Sequence, residues 1–562
     1  MKQNKTKLTR EDIAKLEIGH TEISRPASAV LVALFLLAVF SVPVGQVVYE
    51  LRTGSPVQAL AVFREVPGAL KVFRETGDNV FRKTLKANAA LLKSINGYED
   101  TLEERSLMGR TLLGPAQYVM VSVFGHGNEK AYVGRDGWLF FRPSIDYASG
   151  PPFLGEFHLA KRATEGNEYT PPPQPDPVRA VLDFHERLSK HGIQLVVVPA
   201  PGKAAVHPGK FSRRFAGCDH PVRNLSFESF TNRLETAGVW AYDPAPLLVE
   251  RKLRTGENQF LPADTHWTPQ AMDAVAKDLA SFLRERAGLG RGNRIYERGI
   301  RTVSNIGDIA AMLNLPDGQT LYPEREIDIQ PVGGNLLWSP SLDSKILLLG
   351  DSFSNVYSLE PMGWGESAGF AEQLSYHLRL PLDRIVQNDA GSHATRRILS
   401  RELAAGRDRL EGKIIVIWEF AARELTVGDW EIIPMESGEP GSSDLFRPES
   451  GTTAVLSGTI LDTSPVPRPE SVPYRDHIFS VILVDLKRLD GTPVEGTAYV
   501  QMWSMRDRVR TPASRYPRGR RITVRLSNWK DVGAKYDAIN KSLPGSERYE
   551  FETPCWGQEI TK

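Results

Sequence analysis

The spacing of apolar residues divides this chain into four stretches. From Pro26 to Tyr49 there is no charged residue, and the centre, Ala29 to Phe40, is apolar throughout. About 20 such residues are enough to cross a bilayer as a helix. From 50 to 130 apolar residues fall three and four apart in Val57 to Phe73 and again in Asn79 to Ile95, with Pro67-Gly68 and Gly77 as breaks. That period predicts helices, a stalk or a packing region. From 131 to 430 the pattern changes again. Short, largely apolar runs alternate with helical periods: Val178 to His191 predicts a helix, Gly192 to Gly202 a strand with its loop, Phe227 to Ala237 a helix, Val239 to Tyr242 a strand. Gln270 to Arg286 predicts a helix, Ile346 to Leu349 a strand, Ala368 to Leu380 a helix, Lys413 to Phe420 a strand. Strands without polar alternation are buried on both faces, so the fold class is α/β with a parallel sheet flanked by helices.

Two segments frame that domain. Ala131 to Phe141 reads as a hairpin around an Asp136-Gly137 turn. Glu156 to Pro175 is polar, ends Pro-Pro-Pro-Gln-Pro, and reads as a surface loop. After about Trp430 the composition shifts, and 431–449 reads as a linker rich in Gly, Pro, Ser and acid. From 450 to 562 the pattern is of strands: Thr453 to Leu461, Ile478 to Leu486, Thr497 to Trp503 and Arg521 to Leu526, with Asp490-Gly491 placed to turn a hairpin. This predicts a small all-β domain, a sandwich or a barrel.

Charge changes little. Lys and Arg number 69 and Asp and Glu 68, a balance that points to no nucleic-acid partner. The segment 1–25 carries Lys2, Lys5, Lys7, Arg10, Lys15 and Arg25, which orients it to the cytoplasm and the body to the outside. The competing reading is a cleaved signal peptide. An anchor at 26–49 places the body in the periplasm, tethered to the inner membrane, or outside a Gram-positive cell. Such a compartment permits a disulfide between Cys218 and Cys555, the chain's two cysteines.

The chemistry is concentrated where apolar runs stop. Lys345-Ile-Leu-Leu-Leu-Gly-Asp-Ser352 ends a buried strand on a serine, and ligands of α/β sheets bind at such strand ends. Ser352 is there either a helix cap or a nucleophile. A nucleophilic serine needs a base, and Asp264-Thr-His266 supplies one with its own orienting carboxylate, immediately before a helix start at Thr268-Pro269. The ordinary alternative is a capping serine and a surface histidine. No third histidine or carboxylate stands nearby at ligand spacing, so no metal is expected, and no cofactor. Tyr357 either lines a sugar site or belongs to the core. Asn388 is a candidate second oxyanion donor beside the Ser352 backbone N–H, or a turn asparagine. Arg423 either binds an acidic sugar, holds Asp264, or makes a surface ion pair. Lys203 and His207 follow a strand end and read as structural, and Trp267 as packing its turn. In the tail, Arg506 to Arg521 holds seven arginines against one aspartate beside Trp503 and Tyr516, a glycan-binding composition or a solvated basic loop.

Residues 347–354 (Leu-Leu-Leu-Gly-Asp-Ser-Phe-Ser) together with 264–269 (Asp-Thr-His-Trp-Thr-Pro) resemble the alginate O-acetyltransferase J/X family, as do 133–140, 196–203 and 416–425. The resemblance covers roughly 131–430, in the family's order of motifs. It implies an SGNH-hydrolase-like domain with Asp264, His266 and Ser352 as triad. It also implies O-acetylation of an exported polysaccharide through an acetyl-Ser intermediate, and a multi-pass membrane acyltransferase as acetyl donor. The same triad suits a polysaccharide acetylesterase, and the fold alone suits a non-catalytic glycan-binding assembly component. The tail lies outside the resemblance and is expected to bind glycan without carrying chemistry.

Overall fold

The computed structural model describes residues 24–54, scattered positions between 57 and 95, and 106–560 apart from 167–170, 334–336, 389–391, 439–444, 470–471, 473, 537–538, 545–548 and 550–551. The helices expected over 57–73 and 79–95, and most of 1–25, lie outside the described residues. Two compact units divide at Ala116 and Gln117.

In the first unit, α1 (Arg25–Thr53) begins on Ser24, whose hydroxyl accepts the Ala27 N–H, and ends on Gly54 in the left-handed region. Among the described residues it is the one helix long and apolar enough to cross a membrane, and its apolar window is wholly exposed. A single-pass anchor fits it.

The second unit holds the sheet. A hairpin of β1 (Ala131–Val133) and β2 (Leu139–Phe141) opens it. Asp136 and Gly137 both have positive φ, 57° and 74°, as a two-residue hairpin turn requires. The main sheet contains β3 (Gln194–Ala200), β4 (Trp240–Ala241), β5 (Ile346–Gly350), β6 (Asp383–Val386) and β7 (Ile415–Ala421), ordered β6–β5–β7–β3–β4 and parallel throughout. Alternate residues serve two cores. Leu195, Val197, Leu347, Leu349, Val416 and Trp418 pack with Phe184 and Leu188 of helix Pro177–Ser189. Val196, Val198, Ile346, Leu348, Ile415 and Ile417 pack with Met272, Val275 and Leu279 of helix Pro269–Ala287. Each strand therefore needs apolar side chains on both faces, which is why the runs lack alternation.

One expectation is corrected, and one open point is answered. Glu156–Arg162 is a helix, not loop, with Glu156 in its first turn and Lys161 and Arg162 in its last, charges that suit the helix dipole. Cys218 and Cys555 are free thiols. Cys218 Sγ lies 3.3 Å from the His220 carbonyl and Cys555 Sγ 3.6 Å from that of Phe446, so each has a separate local partner.

The tail is a closed barrel. Its strands β8 (Thr453–Thr463), β9 (His477–Arg488), β10 (Ala498–Arg506), β12 (Arg521–Asn528) and β13 (Cys555–Glu559) pair in the cycle β8–β9–β10–β13–β12–β8, with β11 (Val509–Arg510) folded back on β10. Closure leaves the barrel strands without a free edge. The barrel also touches the α/β domain. Leu359 joins the cluster of Ile478, Ile539 and Trp556, and the Asn540 side-chain amide donates to the Asn388 carbonyl at 2.9 Å.

Candidate active site

Strand β5 ends at Gly350, and Asp351 caps the short helix Ser352–Asn355, its carboxylate accepting the Phe353 N–H at 2.8 Å. The cap is therefore Asp351, and Ser352 is left at the first helical position, buried to 5% exposure. The Asp264–His266 turn is set by the helix after it. Thr268 accepts the Ala271 N–H at 3.2 Å and Pro269 opens the helix, as the sequence predicts.

The two turns are knitted together one residue beyond the reactive groups. The Phe353 ring packs edge-on against the His266 imidazole at 5.0 Å and against Trp267 at 5.2 Å. The Trp267 indole N–H donates to the Phe353 carbonyl at 3.2 Å, and the Tyr357 hydroxyl donates to the Trp267 carbonyl at 2.6 Å. Trp267 is fully buried packing, as expected. Tyr357 is buried too, so it braces the histidine turn from the core and lines no sugar groove.

Asp264 is saturated. One carboxylate oxygen, Oδ1, accepts His266 Nδ1 at 2.7 Å and the His266 backbone N–H at 3.0 Å. The other accepts the Trp364 indole N–H and the Asp308 backbone N–H, each at 2.9 Å. Burial works against the charge, but the charge and hydrogen bond of His266, then Trp364, hold the carboxyl below its ordinary range. On the imidazole, burial works against the proton. The charge and bond of Asp264, then Asp308 and Asp351, outweigh it and raise His266 above its ordinary value. The Nδ1 bond to Asp264 leaves Nε2 as the other ring nitrogen. His266 Nε2 is buried with no hydrogen-bond partner among the described residues, so the Ser352 hydroxyl does not bond it in this structure. Such bonds commonly tighten only with substrate bound.

Sequence reading missed Asp308 and Trp364. Asp308 Oδ2 is 3.9 Å from His266 Nδ1, and its Oδ1 accepts the Thr265 N–H at 2.6 Å. Burial, then the charge of Asp264, push its carboxyl up to about 6. It is the third carboxylate-or-histidine that spacing along the chain did not offer. Asp264, His266 and Asp308 bring ligand atoms within 4.8 Å of one another, but His266 Nδ1 and both Asp264 oxygens are already engaged by the bonds above. No local signal marks either residue, because their importance lies in contacts 44 and 100 positions away.

The remaining candidates fall in different places. Asn388 is buried beside the short helix that opens at Ser352. Its Oδ1 accepts the Asn355 amide at 3.0 Å, and among the described residues its Nδ2 meets the Met362 sulfur, at 3.3 Å. Arg423 stands over the Phe141 ring at 5.2 Å and does not hold Asp264, whose oxygens are filled. Lys203 is structural: its buried ammonium donates to the carbonyls of Leu139 and Pro262 at 2.7 and 2.9 Å, and burial lowers it to about 7. Burial lowers His207 to about 3, and its Nε2 accepts the Gln259 N–H at 3.0 Å. Trp503 is packed edge-on by Tyr536 and Trp556 and carries the Arg506 guanidinium over its ring at 4.4 Å. Tyr516 is buried, donates to Glu559 and lies under Arg520 at 4.6 Å. Arg506, Arg518 and Arg520 pair with Asp476, Asp462 and Glu559. The two aromatics are thus integrated into the barrel instead of standing free as a sugar platform.

A family model described as SGNH hydrolase-like domain, acetyltransferase AlgX, matches residues 131–422. The chain is similar to a probable alginate O-acetylase AlgJ of Pseudomonas fluorescens, 26% identical over 280 residues that make 48% of this chain and 63% of that protein. It is also similar to the Pseudomonas putida AlgJ, 24% identical over 323 residues, 54% of this chain and 72% of that one. The alginate biosynthesis protein AlgX of Pseudomonas aeruginosa is 27% identical over 207 residues, 35% of this chain and 41% of its own. The chain thus spans less than two thirds of the first of these relatives. Among solved structures, the O-acetyltransferase domain of Pseudomonas putida AlgJ aligns with a TM-score of 0.39 at 22% identity, over 53% of this chain and 93% of that one.

Proposed function

Because the chain belongs to the SGNH hydrolase-like acetyltransferase family described for AlgX, we propose that it O-acetylates an exported polysaccharide through an acetyl-Ser352 intermediate. The observation that carries this is the buried 2.7 Å bond between His266 Nδ1 and Asp264, on a turn packed against the residue that follows Ser352. In the first half-reaction His266 Nε2 takes the Ser352 proton as Oγ attacks the acetyl carbonyl. The tetrahedral oxyanion is held by the Ser352 backbone N–H, with Asn388 Nδ2, now on a weak sulfur acceptor, as second donor. Its collapse expels the donor's leaving group, which takes the proton from His266. In the second half-reaction an acceptor hydroxyl gives its proton to His266 and attacks the acetyl-Ser, and Ser352 leaves reprotonated. Asp264 stays ionised throughout and stabilises the imidazolium.

In this reading α1 is a single-pass inner-membrane anchor and the body lies outside the cytoplasm. The acetyl group is delivered by a multi-pass membrane acyltransferase. The resemblance to alginate O-acetylases supports a polysaccharide acceptor. The test is intact-mass analysis with p-nitrophenyl acetate, followed by addition of an acetyl-free oligosaccharide. The reading expects one acetyl group on the wild type, none on Ser352→Ala, and transfer to the sugar in the second step. Label on another residue would overturn the mechanism; release to water alone, with sugar present, would make the protein an esterase.

A further inference from the structure

Behind the nucleophile turn lies a second pair of acids that this acyl-transfer scheme leaves idle. Glu419 on β7 is completely buried. Its Oε2 accepts the Asp351 backbone N–H at 3.0 Å and the Ser354 hydroxyl at 2.6 Å. The Asp351 carboxylate in turn accepts the Phe353 N–H at 2.8 Å and the Ala421 N–H at 2.7 Å. Three of these four bonds cross between the end of β7 and the residues on either side of Ser352. The packing leaves no slack: a Cβ at Gly350 would come within 2.5 Å of Ser354 Oγ and 3.2 Å of Glu419 Oε2.

The charge at this junction is unusual. No ion pair joins Lys, Arg or His to Glu419 or Asp351 among the described residues. The Asp351 carboxylate receives two N–H donors, from Phe353 and Ala421. Glu419 Oε1, by contrast, is buried with no hydrogen-bond partner among the described residues, where an ionised oxygen is costly. Two adjoining buried carboxyls without a cation do not both ionise readily. Burial and then the Asp351 charge accordingly push Glu419 well above its ordinary value.

We propose that Glu419 works as a neutral carboxylic acid, a positioning residue that clamps the turn bearing Ser352 to the end of strand β7. The catalytic part of this inference rests on Ser352 being the acylated residue. Asp351 and the Ser354 hydroxyl are the polar side chains that face Glu419, and Asp351 also lends its charge to His266.

The experiment compares full-length wild type, Glu419→Gln and Glu419→Ala. Glutamine keeps the carbonyl acceptor for Asp351 N–H and Ser354 O–H and cannot ionise. The rate of Ser352 acetylation by p-nitrophenyl acetate at pH 7 is expected within about 2-fold of wild type for Glu419→Gln. It is expected at least about 10-fold slower for Glu419→Ala, which leaves two buried donors unpaired. Melting temperature gives a second readout independent of acyl transfer. An acid raised by folding weakens the native state as pH climbs above its unfolded value, so the melting-temperature advantage of Glu419→Gln over wild type should widen from pH 5 to pH 9. Loss in Glu419→Gln as deep as in Glu419→Ala would show that the charge is needed and overturn the proposal. So would wild-type rates in Glu419→Ala, or a melting difference that ignores pH. Absence of acetyl on wild-type Ser352 would instead defeat the reading of the reaction, while the melting readout would still decide the state of Glu419.

Discussion

Trp364 donates its indole N–H to Asp264 at 2.9 Å, on the carboxylate oxygen opposite the one that holds His266. A carboxylate with donors on both oxygens cannot rotate away from the imidazole. Trp364→Phe keeps most of the buried ring and removes only this bond, leaving the Asp308 N–H on that oxygen. Losing a hydrogen bond to a charged group costs about 1.5–3 kcal/mol. Acetylation of Ser352 is therefore expected to slow by roughly 10-fold, with the fold intact by circular dichroism. An unchanged rate would show that His266 and Asp308 alone fix the carboxylate.

The pH dependence follows from the raised imidazole. Below its folded pKa, which lies above the ordinary 6.5, His266 is protonated and cannot take the Ser352 proton. The acetylation rate should climb with pH through a midpoint above 6.5 and then level. Stability runs the opposite way. The raised His266 contributes stability that is complete below its unfolded value and is lost as pH rises through the folded one. Initial rates of p-nitrophenolate release from pH 5.5 to 9.5 would settle it, and a midpoint below 6.5 would contradict the environment described for the imidazole.

Asp308 is the adjustable member of the group. Asp308→Asn retains an oxygen for the Thr265 N–H and removes a negative charge near both His266 and Asp264. The imidazolium loses an attraction, so the midpoint of the pH–rate curve should move downward. The protein should melt higher at pH 8, because an acid lifted to about 6 by burial and by Asp264 opposes folding once ionised. A midpoint displaced upward would mean that Asp308 does not act through its charge.

How far the sequence reveals this site depends on the range of each interaction. Asp264, His266 and Ser352 are legible because each stands where a local pattern ends, at a helix cap or after an apolar run. The parallel sheet is legible because both of its faces demand apolar residues. Asp308, Trp364 and Glu419 leave no such mark, since each matters through a partner at least 44 positions away. Trp503 and Tyr516 mislead for a related reason. Arginine beside an aromatic has the composition of a glycan platform, yet here the guanidinium covers the ring that a sugar would need. The helix at Glu156–Arg162 was hidden by a polar sequence whose helical support is electrostatic.

Composition marks a boundary near residue 449, but contacts cross it. A chain ending at Arg447 would uncover Leu359 and leave the Asn388 carbonyl without its Asn540 donor. Such a truncated protein is expected to melt lower than the full chain and to acetylate Ser352 more slowly, with Asn540→Ala showing the same direction to a smaller degree. Differential scanning fluorimetry beside the mass assay measures both. Full reactivity in the truncated protein would establish the barrel as a passive appendage.

The order of the sheet governs when reactivity can arise. Strand β7 is the last of the five to be synthesised, yet it pairs with β5 on one side and β3 on the other. Until it inserts, β3 with β4 and β5 with β6 are separate two-stranded pieces, each short of the partners that marginal strand pairs need. The same strand carries Glu419 and Ala421, which hold the serine turn in place. A nascent chain that has already produced His266 and Ser352 therefore still lacks the strand that holds the serine turn. The contacts that fix that turn form only in one late closure, after the polypeptide has passed residue 421.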